Sequence, residues 1–132
     1  MQFPDRSIVE RVRQEYPAGT RVILEEMADP QAPPVGTMGT VQAVDDSASL
    51  VMRWDNGSGL NVVYGEDRVT KTLMTEKVYQ QIMEIRSGGQ SNMLDSRAVQ
   101  RLAFEANFFD LVLYIEDHPK EYFHFIMTGR EE

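Results

Sequence analysis

Two histidines, His118 and His124, are the first side chains to read for chemistry, because an imidazole acts as a general base or a metal ligand near neutral pH. They stand six positions apart, at an expected helix start and on an aromatic-rich helix. That spacing fits neither the i, i+4 ligand pair of a zinc helix nor any nucleophile, base and acid order. It predicts a capping or surface role for His118 and a packing role for His124. The adjacent carboxylates Asp45 and Asp46 fall in a tight turn, where Asp accepts backbone hydrogen bonds. The chain contains no Gly-x-Ser-x-Gly elbow, no phosphate loop ending in Gly-Lys-Ser/Thr and no cysteine. Disulfides, thiolate zinc sites and a thiol nucleophile are therefore excluded. The residues predict no catalytic group, no metal and no cofactor.

The stretch with most to offer a ligand is Arg86-Ser87-Gly88-Gly89-Gln90-Ser91-Asn92-Met93. Glycines let backbone N–H groups face a bound molecule, and Ser87, Gln90, Ser91, Asn92 and Arg86 supply donors just ahead of an expected helix, an arrangement that attracts anions. Arg97, one turn into that helix, adds charge. A helix C-cap joined to a helix N-cap by a polar connector needs the same residue types, so both readings stand. Trp54, the sole tryptophan, precedes an Asn-Gly turn, and Tyr64 ends the following apolar alternation. Both rings suit the mouth of a small barrel, where they would stack on a ligand. Leu50 and Met52 are in phase with Trp54, which equally fits burial. The eight methionines serve as adaptable contacts or gap-fillers.

These residues need elements to hold them. Ile8, Val12 and Tyr16 recur every four positions, predicting a short helix over 7–16 that Pro17 and Gly19 stop. From Thr20 to Thr72 the period becomes two, through Val22 and Leu24, Val41 and Ala43, Leu50, Met52 and Trp54, then Leu60, Val62 and Tyr64. Turn residues separate these runs, at Asp29-Pro30, Pro33-Pro34-Val35-Gly36, Asp45-Asp46-Ser47 and Asp55-Asn56-Gly57-Ser58-Gly59. Five short strands in this span predict a small SH3-like barrel.

The remainder reads as helical. Thr75 caps a helix carrying Val78, Ile82 and Ile85, ended by Ser87-Gly88-Gly89. Asp95 or Ser96 caps a second, with Val99, Leu102, Ala103 and Ala106 inward and a break at Asn107. The apolar stretch from Phe108 to Ile115 reads as buried. Pro119 opens a last helix with Tyr122, Phe123, Ile126 and Met127 on its apolar face, Gly129 closes it, and Arg130-Glu131-Glu132 reads as a frayed tail.

The chain has 132 residues, enough for one domain or two small units sharing a core, and 42% of them are apolar, enough to fold. A net charge of -8 repels a phosphate backbone unless basic residues converge. Arg11, Arg13, Arg21, Arg53, Arg68 and Lys71 would be the residues to converge. The start, Met1-Gln2-Phe3-Pro4-Asp5-Arg6, carries no signal-peptide pattern, and the longest apolar run, Leu111 to Ile115, falls far short of the roughly 20 residues of a membrane span. A soluble cytoplasmic protein is expected, with no membrane partner.

The motifs Tyr16-Pro17-Ala18-Gly19-Thr20-Arg21-Val22, Gly36-Thr37-Met38-Gly39-Thr40-Val41, Val44-Asp45-Asp46, Trp54-Asp55-Asn56-Gly57 and Gly65-Glu66-Asp67 resemble the domain of unknown function 4314 family. Ile85-Arg86-Ser87-Gly88, Asn92-Met93-Leu94-Asp95, Glu121-Tyr122, Phe125-Ile126 and Thr128-Gly129 resemble the domain of unknown function 5049 family. Together the two cover nearly the whole chain. The resemblance implies a barrel and an origin in phages and mobile elements of Gram-positive bacteria, and assigns no activity and no catalytic residue.

The expected architecture is α+β, with a short helix and SH3-like β-barrel over residues 1–72 and a three- to four-helix unit over 73–132. The expected function is non-enzymatic binding of a phage accessory type that counters host antiviral defence. In one mode the protein sequesters a nucleotide-derived immune signal, with Arg86, Ser91, Asn92 and Arg97 on phosphates, Ser87 and Gln90 beside them, and Trp54 or Tyr64 stacking a base. In the other it masks a host defence protein by direct contact. A nucleic-acid-associated barrel is a third reading, disfavoured by charge. Small units also predict a homo-oligomer.

Overall fold

A computed structural model describes residues 4–131. Met1, Gln2 and Phe3, where the absence of a leader was read, and Glu132 of the expected frayed tail lie outside the described residues. The chain divides into two compact units, Met1–Thr72 and Leu73–Glu132.

In the first unit, Asp5 accepts the Ser7 N–H at 3.0 Å and starts helix α1, Arg6–Glu15. Its apolar positions bury Val9 and Val12, with Ile8 and Tyr16 packed at the margin, and Pro17 ends it. Four strands follow: β1 Arg21–Glu26, β2 Met38–Val44, β3 Leu50–Trp54 and β4 Arg68–Lys71. They form one antiparallel sheet in the order β3-β2-β1-β4, with Val22 opposite Gly39 and Gly39 opposite Trp54. Val22, Leu24, Val41, Leu50, Met52 and Trp54 share one core with the buried side of α1.

The sheet is open, which corrects the expectation of a closed five-stranded barrel. The segment from Leu60 to Tyr64 pairs with the β3 backbone at the Leu50–Val62 bridge, with hydrogen bonds of 2.9 and 3.0 Å, and its further bonds to β3 run through side chains, from the Met52 N–H to Asn61 Oδ1 and from the Trp54 indole to the Leu60 carbonyl. Immediately afterwards the Asp67 carboxylate takes the Val63 N–H at 2.8 Å, and Gly65 turns at φ 82°. Those local bonds draw the chain away before a ladder can extend. The alternation also breaks twice. Ile23 is buried beside Val22 and Leu24, and a register shift between Val41 and Ala43 puts Ala43 out of phase and exposed.

Gly39 sits where no side chain fits, since an added Cβ would lie 2.6 Å from Cε3 of the Trp54 ring. Arg21 begins β1 fully buried, its guanidinium on the Asp55 carboxylate at 2.7 and 2.6 Å and on the Thr40 hydroxyl at 3.1 Å. In the β2–β3 turn one Asp45 oxygen accepts from Ser47 N, Ser47 Oγ and Ser49 N. Burial pushes that carboxyl up, and the hydrogen bonds outweigh it, leaving its pKa below the usual value.

The second unit contains four helices: α2 Glu76–Gly88, α3 Ser96–Glu105, α4 Phe109–Asp117 and α5 Pro119–Thr128. Thr75 and Asp95 cap α2 and α3 by accepting the N–H groups of Val78 and Ala98. Asn107, at φ 64°, breaks the chain after α3, and the buried Gln81 side chain accepts the Leu111 N–H at 3.0 Å near the start of α4. Pro119 opens α5, and Gly129 closes it in the left-handed region.

Three expectations are corrected here. The stretch from Phe108 to Ile115 is amphipathic, burying Leu111, Tyr114 and Ile115 while Phe109 and Leu113 stay exposed. On α5 the buried side chains are Tyr122 and Phe125, and Phe123 and Met127 face solvent, because the helical period puts 122 and 125 on one stripe. The tail is anchored. Glu131 is buried and its carboxylate accepts the Leu73 and Met74 N–H groups at 2.7 Å each and the Tyr114 hydroxyl at 2.8 Å. No helix among the described residues is long and apolar enough to cross a membrane.

Candidate functional site

The polar connector of the second unit is built by two caps. Gly89 leaves α2 at φ 63°, a conformation that favours glycine, and its N–H returns to the Arg86 carbonyl. Ser87 spends its hydroxyl on the Met83 carbonyl at 2.9 Å. The Ser91 hydroxyl donates to the Asn92 carbonyl at 3.3 Å, and Asn92 Oδ1 accepts the Leu94 N–H at 2.9 Å, which leaves the amide as the donor end of an exposed side chain. The Tyr122 hydroxyl ties the connector to α5 through the Met93 carbonyl at 2.6 Å, and burial pushes that phenol's pKa well up.

Arg86, Gln90 and Arg97 are exposed on this scaffold, with Arg86 in the last turn of α2 and Arg97 in the first turn of α3. Gly88 is different from Gly89. It has no positive φ, and a Cβ there would meet nothing within 4 Å, so neither backbone geometry nor packing asks for glycine. The start of α3 is already occupied by the Asp95 carboxylate on the Ala98 N–H at 3.1 Å.

Trp54 and Tyr64 belong to the first unit and part company there. Trp54 is 1% exposed and donates its indole N–H to the Leu60 carbonyl at 2.8 Å, so it presents no ring face to a ligand. Tyr64 is 44% exposed and lines a cleft of about 590 Å³. The cleft floor is Val12, Leu50, Val62 and Val69, and its rim carries Glu15, Glu25, Asp67 and Arg68 around Tyr16 and Tyr64. Sequence reading missed this site. Tyr16 was legible only as part of a helical stripe, and the carboxylates come from α1, β1 and the turn before β4.

Three of the six residues of the basic patch considered above are paired with carboxylates. Arg13 pairs with Glu10 and Asp46, Arg21 with Asp55 and Arg68 with Glu26, while Lys71 Nζ sits 5.0 Å from the centre of the Tyr16 ring. His124 is exposed and its Nδ1 lies 2.9 Å from the Arg130 carbonyl, which corrects its expected packing role. His118 stands against Tyr114 with ring centres 5.6 Å apart. Among the described residues no group of three or more His, Asp or Glu side chains is arranged to hold a metal.

With this geometry in place, the chain belongs to the family described as Domain of unknown function (DUF4314), whose model matches residues 5–72. Residues 74–130 match a second family, Domain of unknown function (DUF5049). Neither the curated proteins nor the solved structures contain a match to the chain.

Proposed function

We propose that the protein is a non-enzymatic binder that sequesters a nucleotide-derived signal at the connector between α2 and α3. The observation that carries the reading is the state of Arg86 and Arg97. Both are exposed and neither forms an ion pair among the described residues, although Arg13, Arg21 and Arg68 of the same acidic chain are all paired. A planar guanidinium donates two parallel hydrogen bonds to a phosphate, and two of them with the Asn92 amide suit a multiply charged nucleotide. Gly88 leaves the backbone open beside them. The phage and mobile-element setting implied by the resemblance gives such a binder a use in countering host antiviral defence.

The test is a thermal-shift and calorimetric screen against cyclic and linear nucleotides. A ligand at a hundredfold excess over its Kd adds about 2.7 kcal/mol to folding stability. The double variant Arg86→Ala, Arg97→Ala should abolish the shift and leave the far-ultraviolet spectrum unchanged. Absence of any shift with every nucleotide refutes this reading.

A second reading, masking of a host defence protein, is favoured by the exposed aromatic pair Phe104 and Phe109, which pack edge to face at 5.5 Å beside the exposed Leu113. Aromatic side chains that stay at the surface are the usual anchors of protein contacts. Under this reading, Phe104→Ser with Phe109→Ser abolishes capture of the host protein, and the arginine variants do not.

A further inference from the structure

We propose that the cleft of the first unit is a second binding site, for an organic cation of the alkylammonium or guanidinium class. At about 590 Å³ it has the size of a small-molecule pocket and not of a crevice between side chains. Its chemistry has three parts that fit one kind of ligand. The floor of Leu50, Val62 and Val69 takes an aliphatic stem. The exposed ring of Tyr64 offers a face to a cation, while the half-buried Tyr16 ring already carries the Lys71 ammonium. The rim carries Glu15, Glu25 and Asp67, none of which forms an ion pair among the described residues. Of the cations at the cleft, Arg68 is held by Glu26 at 3.1 Å and Lys71 stands over the Tyr16 ring, so the three carboxylates still leave the cleft with a net negative charge.

The molecule already contains an example of the contact. Lys71 Nζ lies 5.0 Å from the Tyr16 ring centre, an ammonium on an aromatic face. The same chemistry rejects a phosphate, because three carboxylates around a low-polarity floor repel an anion. The cleft and the connector therefore select opposite charges, and this inference stands or falls independently of nucleotide binding.

Two sources could present the cation: a free polyamine, or an arginine or lysine side chain of a polypeptide. Titration calorimetry on the full chain in low salt, with spermidine, agmatine and acetyl-arginine amide as probes, separates them. Binding of the free amines identifies a small-molecule site, and binding of acetyl-arginine amide alone identifies a side-chain site; either supports the proposal. Tyr64→Ala should weaken binding about tenfold. Glu25→Gln should weaken it too and flatten its salt dependence, and both positions are exposed, so the fold is retained. Tyrosine fluorescence should respond in the parent chain and lose most of the response in Tyr64→Ala. No binding of any of the three cations overturns the proposal. So does binding that both variants leave unchanged, since that is diffuse attraction to an acidic surface.

Discussion

The Tyr114 hydroxyl donates to Glu131 at 2.8 Å, and the same carboxylate closes the second unit by accepting the N–H groups of Leu73 and Met74. One side chain thus satisfies donors from the segment that opens the unit and from α4. Removing it leaves three donors without their acceptor in a largely buried place. Glu131→Ala should cost about 3 kcal/mol, read from urea unfolding of the helical signal. Glu131→Gln should cost less, because it keeps one oxygen but turns an NH2 towards a donor. Equal stability of all three chains would show that water replaces the carboxylate.

Alkaline pH should loosen the same unit. Burial, then the Glu131 carboxylate, holds the Tyr114 phenol far above its ordinary 10.0, and burial alone does so for Tyr122. The folded state keeps protons that the unfolded chain releases. Stability is therefore fully present below the ordinary tyrosine pKa and falls as pH rises above it. The urea midpoint should be flat between about pH 7 and 9 and decline beyond about pH 10, and Tyr114→Phe should decline less steeply. A midpoint that stays level to about pH 11 would contradict this.

In the first unit the pair to break is Arg21 with Asp55. The Arg21 side chain is 0% exposed and Asp55 is 23% exposed, so Asp55→Ala leaves a buried cation without its carboxylate, beside the neutral Thr40 hydroxyl. The expected loss is about 3 kcal/mol. The double change Arg21→Met, Asp55→Ala should recover much of it, because an apolar side chain of similar length needs no counter-charge. Recovery is checked by comparing the two denaturation curves.

Gly39→Ala should disturb the sheet more than an ordinary strand substitution. The new methyl would lie 2.6 Å from Trp54 Cε3 and 3.1 Å from both the Arg53 carbonyl and Met52 Cε. A ring and a backbone cannot yield as a flexible side chain does, so a loss of about 2 kcal/mol is expected, with a changed near-ultraviolet spectrum. Gly59→Ala, where nothing lies within 4 Å, is the control and should be nearly silent.

What was legible in the sequence was what local hydrogen bonding decides. Thr75, Asp95, Asn107 and Gly129 each start or stop a helix in the structure through bonds to residues a few positions away, and Pro119 starts one through its fixed φ. The anchoring of Glu131 on Leu73 and Met74, 58 and 57 positions away, leaves no mark in spacing or composition. The barrel was misread because period-two alternation reports a half-buried extended chain and not whether a partner strand continues beside it. Leu60 to Tyr64 alternates, yet Asp67 claims Val63. Ala43 was misplaced by one register shift. The connector was visible because its residues are contiguous. The cleft was not, because four separate segments meet there.

The burial of Trp54 also makes the two units spectroscopically separable. It is the chain's one indole and it lies in the core of the first unit, while the deeply buried phenols Tyr114 and Tyr122 lie in the second. Emission excited at the red edge of indole absorption consequently follows the unfolding of the sheet, and helical ellipticity is weighted towards the other unit. A lag between the two traces on heating would measure directly how far one unit's integrity depends on the other's.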